Sequence, residues 1–165
     1  MFYIYTVSFF GHREIEYFYK YEDELYGLVC SIISKHPYVE FLVGRDGDFD
    51  QLASSVVQKA KRNFGKERCS LVWIMPYEKA EYTKNRGEFD KYYDSVEVCQ
   101  LAAESHPKAA IQIRNRYMVD RSDEVIFYVE HKSGGAYTTM KYAVKYNRKI
   151  VNGTAEIVRK LNKFF

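Results

Sequence analysis

Ser133-Gly134-Gly135-Ala136-Tyr137-Thr138-Thr139 sets two adjacent glycines among three hydroxyl side chains. Glycines at a helix start let the backbone approach an anion closely. The unpaired N–H groups and the positive end of the helix dipole then favour phosphate. Ser133, Thr138 and Thr139 would add hydroxyl donors. The same residues also suit an ordinary Gly-Gly turn with Ser or Thr capping, and they match neither G-x-x-x-x-G-K-[ST] nor G-x-G-x-x-G.

Two further loops carry similar chemistry. In Gly11-His12-Arg13-Glu14, Arg13 suits a phosphate and His12 a ribose or base. The alternative is a solvated surface loop. In Gly44-Arg45-Asp46-Gly47-Asp48-Phe49-Asp50, carboxylates recur at every second residue. EF-hand spacing and its distal Glu are absent, so no metal site is expected. Turn glycines, with Asp48 or Asp50 capping the next helix, account for the pattern. As a ligand loop it would offer Gly44, Gly47 and Asp50, the last to a ribose hydroxyl. Arg114 and Asn115, on a helix, suit phosphate and sugar contacts, or a solvated face pairing with Asp120 or Asp123. No Ser/His/Asp or Cys/His grouping is apparent. The only catalytic candidates are Arg114, Asp50 and Glu14.

These loops need elements to position them. Phe2–Phe9 is a continuous apolar and aromatic run, as in a strand buried on both faces. Leu25, Leu28, Val29, Ile32 and Ile33 form one face of a helix over Glu22–Lys35. A strand over Tyr38–Val43 follows, then a helix bearing Leu52, Ala53, Val56, Val57, Ala60 and Phe64, which Gly65 stops. Ser70–Met75 is a third strand. Tyr77–Tyr93 lacks a pattern and is expected to be a surface loop, with a short strand within Asp94–Cys99. A helix is expected over Pro107–Arg121, a strand over Glu124–Glu130, a helix over Gly135–Tyr146 and a strand over Lys149–Val151. A last helix would carry Ile157, Val158 and Leu161. Strands alternating with helices imply an α/β, three-layer Rossmann-like domain with a mainly parallel sheet. Its ligands would sit at the carboxyl ends of the strands.

Composition limits the function classes. The chain has 165 residues, enough for one domain with one substantial core. Its net charge of +3 gives no basis for non-specific nucleic-acid binding, so nucleic acid is not expected as a partner. Cys30, Cys69 and Cys99 have no metal-site spacing and read as reduced thiols of a cytoplasmic protein. The N-terminus lacks a basic leader region. No apolar run approaches the roughly 18 residues of a membrane span, and no membrane association is expected.

"SFFGHRE", "FLVGRDGDFDQLA" and "RNRYMVDRSDEVIFYVEHKSGGAYTTMKYA" together resemble the SLOG superfamily. This is the Rossmann-like group containing the DprA/Smf DNA-processing proteins and the Lonely-guy phosphoribohydrolases. The branch they resemble is that of small single-domain bacterial and phage proteins similar to YpsA and YoqJ. The resemblance spans nearly the whole chain in order, with little of it in Tyr77–Lys108.

The resemblance implies a parallel sheet, a nucleotide or nucleotide derivative as ligand, Gly134 and Gly135 in the phosphate loop, and a homodimer. Lonely-guy enzymes carry P-G-G-x-G-T-x-x-E, whose Glu works with an Arg on the preceding helix in cleaving an N-glycosidic bond. Here Gly134 and Gly135 match the glycine pair and Arg114 matches the Arg. Ser133 replaces Pro, Tyr137 replaces the third Gly, and the Glu positions fall on Met140 and Lys141. The expectation is therefore a binding or sensor domain more than an enzyme. A nucleoside 5′-monophosphate phosphoribohydrolase and a DprA-like nucleic-acid-binding domain are the alternatives.

Overall fold

The computed structural model describes residues 3–16 and 18–153, without the side chains of 18–20. The expected helix with Ile157, Val158 and Leu161 lies outside these residues. The element order is β1 (Ile4–Gly11), α1 (Phe18–Lys35), β2 (Tyr38–Val43), α2 (Asp48–Phe64), β3 (Cys69–Met75), α3 (Ala80–Lys84), α4 (Arg86–Tyr92), β4 (Ser95–Val98), α5 (Gln100–Ala103), α6 (Pro107–Arg121), β5 (Glu124–Tyr128), α7 (Gly134–Lys145) and β6 (Lys149–Asn152).

The strands form one six-stranded sheet in the order β4-β3-β2-β1-β5-β6, with every pairing parallel. This is the three-layer Rossmann-like α/β fold expected from the strand–helix alternation. Val7 and Phe9 of β1 point into a core shared with α1 and α2, while Phe10 faces a second core under α5, α6 and α7. Both faces are covered, which is why the strands read as unbroken apolar runs. β5 is buried along its full length.

The chain winds outward from β1 to β4, then crosses back to β5. The order therefore reverses between β1 and β5, and a crevice opens there at the strands' carboxyl ends.

Several sequence expectations are corrected. Gly11 ends β1 instead of starting the loop, and a Cβ there would lie 2.2 Å from Cγ of the buried Phe49. β5 stops at Tyr128, short of Glu130. Tyr77–Tyr93 is not a patternless loop: it holds α3 and α4. Tyr82, Phe89 and Tyr93 converge there on Trp73 with ring centroids 5.8, 5.2 and 5.3 Å away. These helices are too short for a periodic signal, so packing on Trp73 forms them. Neither Asp48 nor Asp50 caps α2, whose N-cap is Gly47. Cys30, Cys69 and Cys99 are all free thiols.

Candidate functional site

A cleft of about 580 Å³ occupies the crevice at the strand ends. Three loops and one helix build it, and each is held by contacts that the local sequence dictates.

The β1–α1 loop lies across the start of α2. Asp48 N–H donates to the Arg13 carbonyl at 2.8 Å and Phe49 N–H to the His12 carbonyl at 3.4 Å. Asp48 in turn accepts from the Ile15 N–H at 3.0 Å. A Cβ on Gly47 would stand 2.5 Å from the Arg13 Cα, so only glycine allows this crossing. The first two orphan donors of α2 are thereby taken up by protein.

The start of α7 is different. Gly134 has φ 88°, a left-handed conformation that favours glycine. Ser133 occupies the N-cap without making a side-chain cap, because its hydroxyl engages His131 Nδ1 at 2.9 Å. Among the described residues, no protein acceptor meets the N–H groups of Gly134, Gly135 and Ala136, and all three residues line the cleft. Unpaired donors at the positive end of a helix are suited to an anion.

The Ser133 and His131 contact belongs to a clasp between loops. His12 and His131 stack with centroids 3.7 Å apart and rings 9° from parallel. His12 Nε2 accepts from the Glu130 N–H at 2.8 Å, which fixes that nitrogen as unprotonated. Burial, and then the neighbouring His131, push the His12 pKa below its ordinary value.

The floor is a hydrogen-bonded relay. Arg114 is only 3% exposed. It donates to the Ile74 carbonyl at 2.8 Å, to Asp46 at 2.7 Å and to Asn115 Oδ1 at 2.9 Å. Asn115 donates to the Thr139 hydroxyl at 3.1 Å, and that hydroxyl donates to the Gly135 carbonyl at 2.8 Å. The relay connects the Asp46 loop to the first turn of α7. Burial alone would raise the Asp46 carboxyl, but Arg114 and Lys79 outweigh it and hold the pKa below the ordinary range. Burial pushes Asp50 up to about 6, with the Asp46 N–H at 2.8 Å and Arg114 offsetting only part of that cost.

No protein-family model matches the chain, and no curated protein matches it. Solved structures do. DNA processing protein A from Streptococcus pneumoniae superposes with a TM-score of 0.67 at 12% identity, over 95% of this chain and 56% of that one. DNA processing protein A from Helicobacter pylori, solved for insight into its single-stranded DNA binding mode, gives 0.62 at 16% identity, over 94% and 72%. The chain has the DprA fold. At these identities the likeness is one of architecture, and the chain spans little more than half of the Streptococcus protein.

Within this DprA fold, Gly11, His12, Arg13, Glu14, Gly44, Gly47, Asp50, Arg114, Asn115, Gly134 and Gly135 all line the cleft. Arg114 and Asn115 do not form a solvated face. Three residues depart from expectation. The Ser133 hydroxyl turns to His131, and the Thr138 and Thr139 hydroxyls bond back to the Gly134 and Gly135 carbonyls. Such back-bonding within a helix turn leaves neither threonine hydroxyl free to donate into the cleft. Lys108, Ile111, Gln112 and His131 also line it, unforeseen from sequence. The signal for three of them was helical spacing: 108, 111, 112 and 115 share one face of α6.

Proposed function

We propose that this chain is a SLOG-type domain of the small YpsA/YoqJ-like branch, binding a nucleotide or nucleotide derivative as a cytoplasmic sensor or adaptor. One observation carries the reading: of the helices whose first turns line the cleft, α2 has its first two donors plugged by the His12 and Arg13 carbonyls and α6 has its own taken by His106, while α7 presents its own unpaired. The ligand's phosphate sits on the Gly134, Gly135 and Ala136 N–H groups, and Arg13 and Lys108 also line the cleft. At the related hydrolases' glutamate positions stand Met140, which is half-buried, and Lys141, and the lack of a carboxylate there favours binding over cleavage.

Thermal shift with AMP, GMP, CMP, UMP, NAD, ADP-ribose and cyclic nucleotides tests this. A rise in Tm is expected for at least one phosphorylated compound, with a smaller rise for its parent nucleoside. A flat response across the panel overturns the reading. Light scattering of the free and bound protein tests the homodimer that the family resemblance suggests.

Two alternatives rest on specific observations. The fold shared with the Helicobacter protein favours single-stranded DNA, and a mobility shift at physiological salt that strengthens with oligonucleotide length would establish it. Asp50, with its pKa near neutrality in the cleft, is suited to general acid–base work in an N-glycosidic hydrolase. Release of free base from a monophosphate, abolished in Arg114→Ala, would establish that.

A further inference from the structure

Asp50 and Arg114 meet in the cleft beside Gly44, joined to the open start of α7 by the relay through Asn115 and Thr139. A Cβ on Gly44 would stand 3.1 Å from Asp50 Oδ2 and 3.2 Å from Arg114 Nη1, so one bare glycine separates the two groups. Asp50 Oδ2 accepts the Asp46 N–H at 2.8 Å. No hydrogen bond to its Oδ1 is formed among the described residues, and Asp50 lines the cleft, so this oxygen can accept from a ligand. Arg114 gives three of its N–H groups to Ile74, Asp46 and Asn115, and its guanidinium has further donors.

This part of the cleft therefore sets a free acceptor beside a donor group. Phosphate is disfavoured there by the Asp46 and Asp50 carboxylates. A cationic amine is disfavoured by Arg114 and by Lys79, which is paired to Asp46. Neighbouring hydroxyls fit both groups, since each hydroxyl can donate and accept. A sugar diol can donate one hydrogen to Asp50 Oδ1 and accept from Arg114 without a net charge change.

We infer that Asp50 and Arg114 read the vicinal diol of the ligand's sugar, so that the site selects ribonucleotides over 2′-deoxyribonucleotides. This deepens the nucleotide-binding reading and rests on it. With the phosphate on α7 and the diol on Asp50, the buried relay through Asn115 and Thr139 sets the spacing between the two anchors.

Calorimetric titration of the full chain with AMP, GMP, CMP and UMP, each beside its 2′-deoxy counterpart, tests the inference. The tightest ribonucleotide is expected to bind about tenfold or more tighter than its deoxy form, as loss of one hydrogen bond to a charged group implies. In Asp50→Ala the ratio falls towards one, with affinity for the deoxy form little changed. Asp50→Asn keeps an oxygen for the Asp46 N–H and serves where the alanine variant fails to fold, and its ratio falls as well. Equal affinities in the wild type, or an undiminished ratio in either folded variant, overturn the inference alone. No binding by any of the eight compounds overturns the nucleotide-binding reading and this inference with it.

Discussion

Asn115 donates to the Thr139 hydroxyl at 3.1 Å, a contact between α6 and α7 in which both residues are buried. It is the middle step of the relay from Asp46 through Arg114 to the Gly135 carbonyl. Thr139→Val keeps the shape and removes the hydroxyl, leaving the Asn115 amide without its acceptor. A buried donor left unpaired costs about 1–3 kcal/mol. Urea denaturation is expected to register that loss for Thr139→Val and little loss for Thr139→Ser.

Arg114 has a larger structural role. Arg114→Met strips partners from Asp46, Asn115 Oδ1 and the Ile74 carbonyl together. Removing one member of a buried ion pair costs about 3–5 kcal/mol, here eased by Lys79, which still faces Asp46. Arg114→Lys restores charge but not the fork that reaches three acceptors. The sign with pH follows from Asp46. Its folded pKa lies below the ordinary 3.8, so its contribution is present above that value and lost as pH falls through the folded pKa. Without Arg114 that loss begins at higher pH. Acid titration of stability, wild type against Arg114→Met, reads the displacement.

The sequence disclosed the fold where burial is continuous or a helix is long. β2 runs from Tyr38 to Val43 and α6 from Pro107 to Arg121, as their patterns and flanking prolines indicate. Glycine positions disclosed the cleft, because Gly11 meets the Phe49 ring, Gly47 the Arg13 backbone and Gly44 the Asp50 and Arg114 side chains at close range. Hydroxyl roles were not legible. Whether Thr139 faces a ligand or bonds one turn back depends on helix phase, which moves with a single residue of the boundary. Lys108 and Gln112 share the α6 face of Asn115, so with the boundary of α6 fixed their place was legible from spacing alone. α3 and α4 were hidden because their order comes from Trp73, on a strand outside the segment itself.

That dependence can be measured. Trp73 is the single tryptophan of the chain and is fully buried. Phe89 lies edge-on to it at 5.2 Å, and the Arg45 guanidinium sits 4.8 Å over the Phe89 ring. Phe89→Ala opens the aromatic cover and removes one ring under Arg45, which keeps Glu81 and Tyr93. Because Phe89 is half-buried, the cost is about 3 kcal/mol, the lower end for aromatic truncation. The tryptophan emission of the folded variant should move to longer wavelength. An unchanged spectrum would mean that α3 and α4 do not shield Trp73.

Asp50 is destabilising when charged. Its carboxyl is raised from 3.8 to about 6 by burial, so the native state holds the proton more tightly than the unfolded chain. Its stabilising contribution is present below pH 4 and is lost as pH rises through about 6. Asp50→Asn, which cannot ionise, is expected to gain about 1–2 kcal/mol over wild type at pH 8, less than the full shift implies because one oxygen is open to the cleft. The gain should vanish near pH 4. A constant difference across that range would show that the amide acts through packing instead of charge.

His12 titrates in the opposite sense. Burial, then His131, lowers its pKa from 6.5, and its Nε2 already accepts the Glu130 N–H. Protonation would set two donors against each other and place charge on a ring stacked at 3.7 Å on another imidazole. The unfolded chain therefore binds this proton more readily, and stability falls as pH drops below 6.5. The charged groups facing His12 from the adjoining loops include Glu14 and Glu130, which line the same recess. His12→Gln can still accept from Glu130 and cannot titrate. Denaturation at pH 7.5 and pH 5 should give a smaller difference for this variant than for wild type. An equal difference in both proteins would mean that the acid sensitivity originates elsewhere and that the stacked pair does not hold the two loops together.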